Sequence, residues 1–261
     1  MDNISSLCEI KKGKKLLMKR KIFDFTNSLR RVSLVSMYSA VSLPDQLNME
    51  GLEVVSFHGY ALRALCFIRT VVLFFIATVF RGNVFVTSNV YGSSWLEAVW
   101  SITPIFVLLV LTLPSVSLLY IIEGLYNPLL SVKATGHQWY WSYESSDFRG
   151  FNFDSYMETG SSLKPRDLRL LEVDNTLCLP YRTDVKVVTT STDVIHSWAL
   201  PAIGLKADAV PGRLNVLNIH SCKSGSYYGQ CSEICGINHS FIPIHVEFVD
   251  WHSFLNHVAS E

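Results

Sequence analysis

The stretch "CSEICGINHSFIPIHVE", residues 231–247, sets two cysteines four positions apart, with a histidine four positions further on. A cysteine thiolate and a neutral imidazole are ligands for soft and borderline transition metals. A second histidine, His196 in "DVIHSW", stands 35 residues before Cys231. Together Cys231, Cys235, His239 and His196 supply two thiolates and two imidazoles, a count that suits tetrahedral zinc.

The surroundings of these residues favour copper instead. Zinc ribbons and fingers are small modules that need their metal in order to fold, whereas these ligands decorate the end of a long β-rich segment. An upstream histidine and a downstream Cys…His loop on a β-sandwich is the way electron-transfer proteins present a His2Cys set to copper. This chain has one cysteine more than a single copper ion uses. Two thiolates can bridge two copper ions, each capped by one histidine, and such a pair shares the transferred electron so that bond lengths change little.

The elements that must position these residues follow Asn127. The segments "LSVKATGHQWYWSYE", "LRLLEVDNTLCLP", "DVKVVTTS", "RLNVLNIHS" and "SFIPIHVEFV" are rich in Val and aromatics and are separated by Gly, Pro, Asn and Asp. That is the pattern of an all-β sandwich or barrel, here of roughly 130 residues. In the last segment Ile242, Ile244, Val246 and Phe248 alternate onto one face, and His245 and Glu247 point to the other.

Upstream lies an apolar region. Ala98 to Ile122 has no charged residue over 25 positions, more than the roughly 20 that a membrane-spanning helix requires. Its two prolines, Pro104 and Pro114, disfavour a long soluble helix and are tolerated in a transmembrane one. An earlier span, about residues 57–80, is interrupted by Arg63 and Arg69. A lone arginine at the membrane centre costs roughly 2.5–3.5 kcal/mol on insertion scales, so Arg69 is expected to face a protein partner and Arg63 to reach the interface. The short turn-rich connection makes the two spans an antiparallel hairpin. The expected fold is thus a two-helix transmembrane hairpin followed by an all-β domain.

The 261 residues carry no formal net charge and are 49% apolar, but the charge is unevenly placed. Residues 1–45 hold nine Lys/Arg against four Asp/Glu, and residues 128–261 hold ten against fourteen. The acidic end suits a cationic partner and excludes nucleic acid, whose phosphates need a basic face. Residues 1–45 read as a basic, Ser-containing targeting segment without a secretory apolar run, with "LPDQ" at 43–46 as a linker. Residues 46–127 form the hairpin and 128–261 the β-domain. Cys8, Cys66, Cys178 and Cys222 read as small buried hydrophobes.

Three motifs, "GHQWYWSYE", "DVIHSWALPAIGLKADAVPGRLN" and "YYGQCSEICGINHSFIPI", in this order, resemble subunit II of haem–copper cytochrome c oxidase, and the resemblance runs from Phe57 to Asp250. It implies a cupredoxin-like domain bearing the dinuclear copper centre CuA, which takes electrons from cytochrome c and passes them to the haem of subunit I for reduction of oxygen to water. By position, His196, Cys231, Cys235 and His239 match the copper ligands, both cysteines bridging. Glu233 matches the residue that binds one copper through its backbone carbonyl, and its side chain a magnesium ion shared with subunit I; Asp208 lies in the loop beside that ion. Trp139 matches the aromatic through which cytochrome c delivers its electron, and Glu97 the carboxylate at the mouth of a proton channel. Glu144, Asp147, Asp154 and Asp193 match acids that steer cytochrome c, although Arg149, Gly150 and Thr192 stand where further acids are frequent. The resemblance and the leader together imply the mitochondrial inner membrane, with the β-domain in the intermembrane space, rather than a bacterial plasma membrane. The partners implied are subunit I, other oxidase subunits, cytochrome c and the lipid bilayer. Nitrous oxide reductase also bears such a copper domain, but the hairpin and Glu97 fit an oxidase better.

One residue departs from the motif. The family has a methionine as axial copper ligand where this chain has Ile242, which cannot coordinate. The axial bond is weak and long in such sites and is expected to be dispensable. Equally, a mitochondrial codon read under the wrong code would place an isoleucine where the protein has methionine. The third reading is a copper-free structural subunit, and it is disfavoured because both cysteines and both histidines remain.

Overall fold

The computed structural model describes residues 43–82, 92–124, 127–148, 150–160, 163 and 167–260. Most of the expected targeting segment, with Cys8, lies outside the described residues, as does Arg149. Contacts divide the chain into two compact units, Leu52–Gly124 on the one hand and Leu125–Glu261 with the segment up to Gly51 on the other.

Two long helices dominate the first unit. Helix α1 is Met49–Phe80 and helix α2 is Ser94–Ile122. Both are long and apolar enough to cross a membrane, and neither apolar stretch is buried. They begin eight and four residues before the expected spans, because the caps lie outside the apolar runs. Asn48 Oδ1 accepts the Gly51 N–H at 2.9 Å, and Ser93 Oγ accepts that of Leu96, each satisfying a backbone donor that a helix start leaves open. The hydroxyls of Thr70, Thr103 and Thr112 donate to the carbonyls four residues back, at 2.7–2.8 Å. None of these three protons is then left to hydrocarbon. Pro104 and Pro114 both lie within α2. Arg69 is exposed on α1, and the Arg63 guanidinium lies 5.8 Å from the Tyr60 ring centroid.

The second unit holds ten strands among the described residues: β1 Leu130–His137, β2 Tyr140–Glu144, β3 Asn152–Ser155, β4 Leu177–Pro180, β5 Val185–Ser191, β6 His196–Leu200, β7 Leu205–Ala209, β8 Asn215–Ile219, β9 Gly225–Gln230 and β10 Pro243–Val249. They form a five-stranded sheet in the order β3-β2-β1-β5-β8, a three-stranded sheet β4-β10-β9, and the pair β6-β7. Strands β1 and β5 run parallel, with Leu130 opposite Val185 and Gly136 opposite Ser191. Period-two burial follows from the sequence, as in β5, where Val185, Val187, Thr189 and Ser191 are buried and the residues between are not. Trp141, Tyr143, Leu177, Trp198, Ile219, Ile244 and Phe248 fill the interior. A closing helix, α3 (Trp251–Ser260), starts where Asp250 Oδ1 accepts the Ser253 N–H at 3.0 Å, and buries Phe254.

The alternation expected for β10 holds on its apolar face, where Ile242, Ile244, Val246 and Phe248 are all buried while Glu247 is exposed. His245 differs: it faces away from that core yet is itself buried. Tyr228 stacks on its ring at 4.3 Å and Glu172 Oε2 lies 3.3 Å from its Nδ1, so the segment around Glu172 covers this side as well. Residues 43–46 of the expected linker are exposed or half-buried, and the chain packs immediately after them. Leu47 is buried, its N–H donates to Ala202 O at 2.9 Å, and its carbonyl accepts from Cys222 N at 3.2 Å. Of the remaining cysteines, Cys178 is buried as expected, Cys66 is exposed, and Cys222 is half-buried and disulfide-bonded.

Candidate metal centre

Two pieces of backbone bring the ligands together. Residues 231–242 form a long loop between the antiparallel strands β9 and β10, whose last pair is Gln230 with Pro243. Cys231 N donates to Ile242 O at 3.0 Å across the neck of this loop, and Ser232 N donates to Ser197 O at 3.0 Å. The second bond ties the loop to β6 beside its first residue, His196. As a result Cys231 Sγ lies 3.9 Å from His196 Nδ1 and 4.0 Å from Cys235 Sγ, while Cys235 Sγ lies 3.5 Å from His239 Nδ1. The Glu233 carbonyl faces Cys231 Sγ at 3.4 Å. Ligand atoms of His196, Cys231 and Cys235 all lie within 4.8 Å of one another, and all three residues are buried.

The electrostatics of the two thiols are opposite. Burial pushes the Cys231 thiol up, but hydrogen bonding to His196 and to the backbone at Glu233 and Ser197 outweighs it, and its pKa falls to about 6. Burial and then the neighbouring Cys231 charge push Cys235 up to about 12. One thiolate forms readily and the second is opposed by the first. Full deprotonation therefore calls for cationic charge between the sulfurs. Two sulfurs, two imidazole nitrogens and a carbonyl oxygen are a donor set that fits copper.

Three residues without an assigned role in the sequence shape the site. A Cβ on Gly136 would lie 2.9 Å from Cβ, Cγ and Cδ2 of His196, so only glycine lets this strand pass beneath the imidazole. Trp141 meets the same ring at 5.9 Å with its plane tilted by 63°. Gln138 Nε2 donates to Cys235 O at 2.7 Å. A glycine inside a strand marks a close approach, and that was the available signal for Gly136; for Gln138 there was none.

Trp139 follows Gln138 in the β1–β2 turn and is half-buried. Its indole Nε1 and Cζ2 come within 3.3 Å of where a Cβ on Gly236 would stand, and Gly236 has φ +129. The indole thus rests on the metal loop one residue past Cys235. Asp208, on β7, accepts the Ser197 hydroxyl at 2.8 Å, and the side chain of Glu233 is half-buried in the loop. Glu97 sits in the first turn of α2, in the other unit. Among the expected docking acids, Glu144 is paired with Lys133, and Asp147 accepts from Ser131 N at 2.6 Å and Ser131 Oγ at 3.0 Å. Asp154 is exposed, and Asp193 accepts from His196 Nε2 at 2.8 Å. Ile242 is buried beneath the loop, at 1% exposure.

These distances make two expectations measurable. In metal-free protein, thiolate ultraviolet absorbance is expected to rise in two separated steps, the first near pH 6 from Cys231 and the second far higher from Cys235. A single step in the ordinary thiol range would contradict the asymmetry. Gly136→Ala is expected to displace His196 and lower metal affinity by about 10–100-fold, the range for a disturbed ligand support, as read by competition with a chelator. Wild-type affinity in a folded Gly136→Ala variant would show that the close approach is not required.

Residues 130–249 match the family model described as "Cytochrome C oxidase subunit II, periplasmic domain", and residues 37–118 match "Cytochrome C oxidase subunit II, transmembrane domain". Among solved structures, the periplasmic domain of subunit II of cytochrome oxidase from Bradyrhizobium japonicum is 45% identical, with 52% of this chain and 94% of that chain covered and a TM-score of 0.48. A subunit II of cytochrome c oxidase caught in a mixed disulfide with a thioredoxin-like protein is 43% identical over 53% of this chain and 94% of that one, with a TM-score of 0.47. On the two family models, which together match most of its length, the chain belongs to the cytochrome c oxidase subunit II family.

Proposed function

We propose that this subunit receives single electrons from cytochrome c at a dinuclear copper centre, CuA, and passes them to the haem of subunit I, where oxygen is reduced to water. The observation that carries this reading is the convergence of two buried sulfurs 4.0 Å apart with an imidazole nitrogen beside each. His196 and His239 through Nδ1, Cys231 and Cys235 through Sγ, and Glu233 through its carbonyl are the residues that would hold the copper. When bound, the centre supplies one-electron transfer with little change in bond length. Burial of both cysteines keeps bulk water from the sulfurs. Trp139, resting on Gly236, is the aromatic side chain placed to connect a docked cytochrome c with the ligand loop.

A copper-free structural subunit would leave an acidic thiol, a second thiol and two imidazoles converging with no cation to balance them. We therefore favour the copper reading with Ile242 as it stands, a buried side chain that cannot itself coordinate. Glu233 is the carboxylate proposed for a magnesium ion shared with subunit I, with Asp208 in the loop beside it, and Glu97 is proposed for the mouth of a proton channel there. The composition of residues 1–45 points to the mitochondrial inner membrane rather than a bacterial plasma membrane. Sequencing the mature N-terminus decides between them.

Loading the full chain with copper is expected to give about two coppers per chain and a mixed-valence spin signal, the ligands being shared between both ions. No bound copper would sink the reading. The mass of the peptide 241–250 from the same sample fixes whether isoleucine stands at 242.

The acids differ in what they can offer a cytochrome c. Glu144 and Asp147 are engaged by Lys133 and Ser131, so the exposed Asp154 is the cleanest probe of steering. Asp154→Lys is expected to lower the second-order rate with a basic cytochrome c at low salt, the difference shrinking as salt screens it. An unchanged low-salt rate would remove this acidic patch from docking.

A further inference from the structure

Asp193 matches the docking acids by position, but its carboxylate is turned inward. Oδ1 accepts from His196 Nε2 at 2.8 Å, from Val194 N at 2.6 Å and from Ser191 Oγ at 3.2 Å. Oδ2 accepts from Gln138 N at 2.6 Å. Donors from two stretches of chain, residues 191–196 and the β1–β2 turn, occupy one carboxylate, and the side chain is 29% exposed against 0% for that of His196.

Two of these bonds bear on the metal loop. The carboxylate that accepts the Nε2–H of His196 turns the other ring nitrogen, Nδ1, toward Cys231 Sγ 3.9 Å away, so that Nδ1 is the nitrogen offered to a metal. Holding Gln138 N fixes the turn whose side chains reach the loop, Gln138 through Cys235 O at 2.7 Å and Trp139 through Gly236. The imidazole cannot shift away from the carboxylate easily either, since Gly136 lies directly beneath it.

We infer that Asp193 is a positioning residue of the metal centre and not a docking acid: its carboxylate sets the tautomer and orientation of His196 and, through Gln138, seats Trp139 against the ligand loop. This inference rests on the copper reading for its second half only, because the histidine tautomer exists in the metal-free chain.

The two roles for Asp193 make opposite forecasts. Nitrogen NMR of the metal-free wild-type chain is expected to show His196 Nε2 protonated and hydrogen-bonded to Asp193, and an unprotonated Nε2 would overturn the inference without any variant being made. In Asp193→Ala the tautomer is expected to become mixed, and copper affinity to fall about 10–100-fold. The salt dependence of the cytochrome c rate is expected to keep its wild-type slope. Asp193→Asn retains an acceptor oxygen for His196 and is expected to recover part of the lost copper affinity. If Asp193→Ala keeps the Nε2–H tautomer and wild-type affinity while the salt slope alone changes, Asp193 is a docking acid and the inference fails. If the wild-type chain takes up no copper, it is the copper reading that fails, and the tautomer result still stands.

Discussion

Two cysteine sulfurs held 4.0 Å apart in a buried loop are the constraint around which this domain is organised. Removed from water, two adjacent thiolates repel each other with little screening. The raised pKa of Cys235, which burial and then the Cys231 charge push up to about 12, is the local expression of that repulsion. The arrangement is relieved by cationic charge, and the flanking imidazoles and the Glu233 carbonyl supply the remaining donors. In this sense a bound metal would complete an incomplete electrostatic site.

The β-domain serves this constraint by pinning the ligand loop at three places. Its neck is closed by the Cys231–Ile242 backbone bond, its first turn is tied to β6 through Ser197, and its middle is held by Gln138. His196 enters from the other side, on a strand pair whose own register places Asp208 opposite Ser197. Four ligands thus come from two chain segments, β6 and the β9–β10 loop, and a third segment, the β1–β2 turn, supports both. Rigid support of this kind is what a one-electron centre needs, because any ligand movement on electron transfer would slow it.

Much of this was legible in the chain itself, for physical reasons that can be named. The spacing of Cys231, Cys235 and His239 is local, and the alternation of Ile242 to Phe248 repeats with the period of a strand. The apolar runs of α1 and α2 announce themselves by length. Their true starts do not, since Asn48 and Ser93 are polar caps that belong to the helices without sharing their hydropathy. His245 was placed on the open face of β10, but Tyr228 and Glu172 cover it, and no periodicity within one strand records what a distant segment will cover. Gly136 and Asp193 show the same limit at the site. Their shared partner, His196, is far from Gly136 in sequence and on the same short loop as Asp193. Neither the closeness of Gly136 nor the inward turn of Asp193 follows from residue type.

The central claim is that one pair of sulfurs serves two metal ions. X-ray absorption at the copper edge of the copper-loaded full chain tests it most directly. A dinuclear centre predicts a copper neighbour in the outer scattering together with sulfur and nitrogen in the inner shell. An inner shell of sulfur and nitrogen with no metal neighbour would mean that Cys231 and Cys235 bind a single ion, and would contradict it.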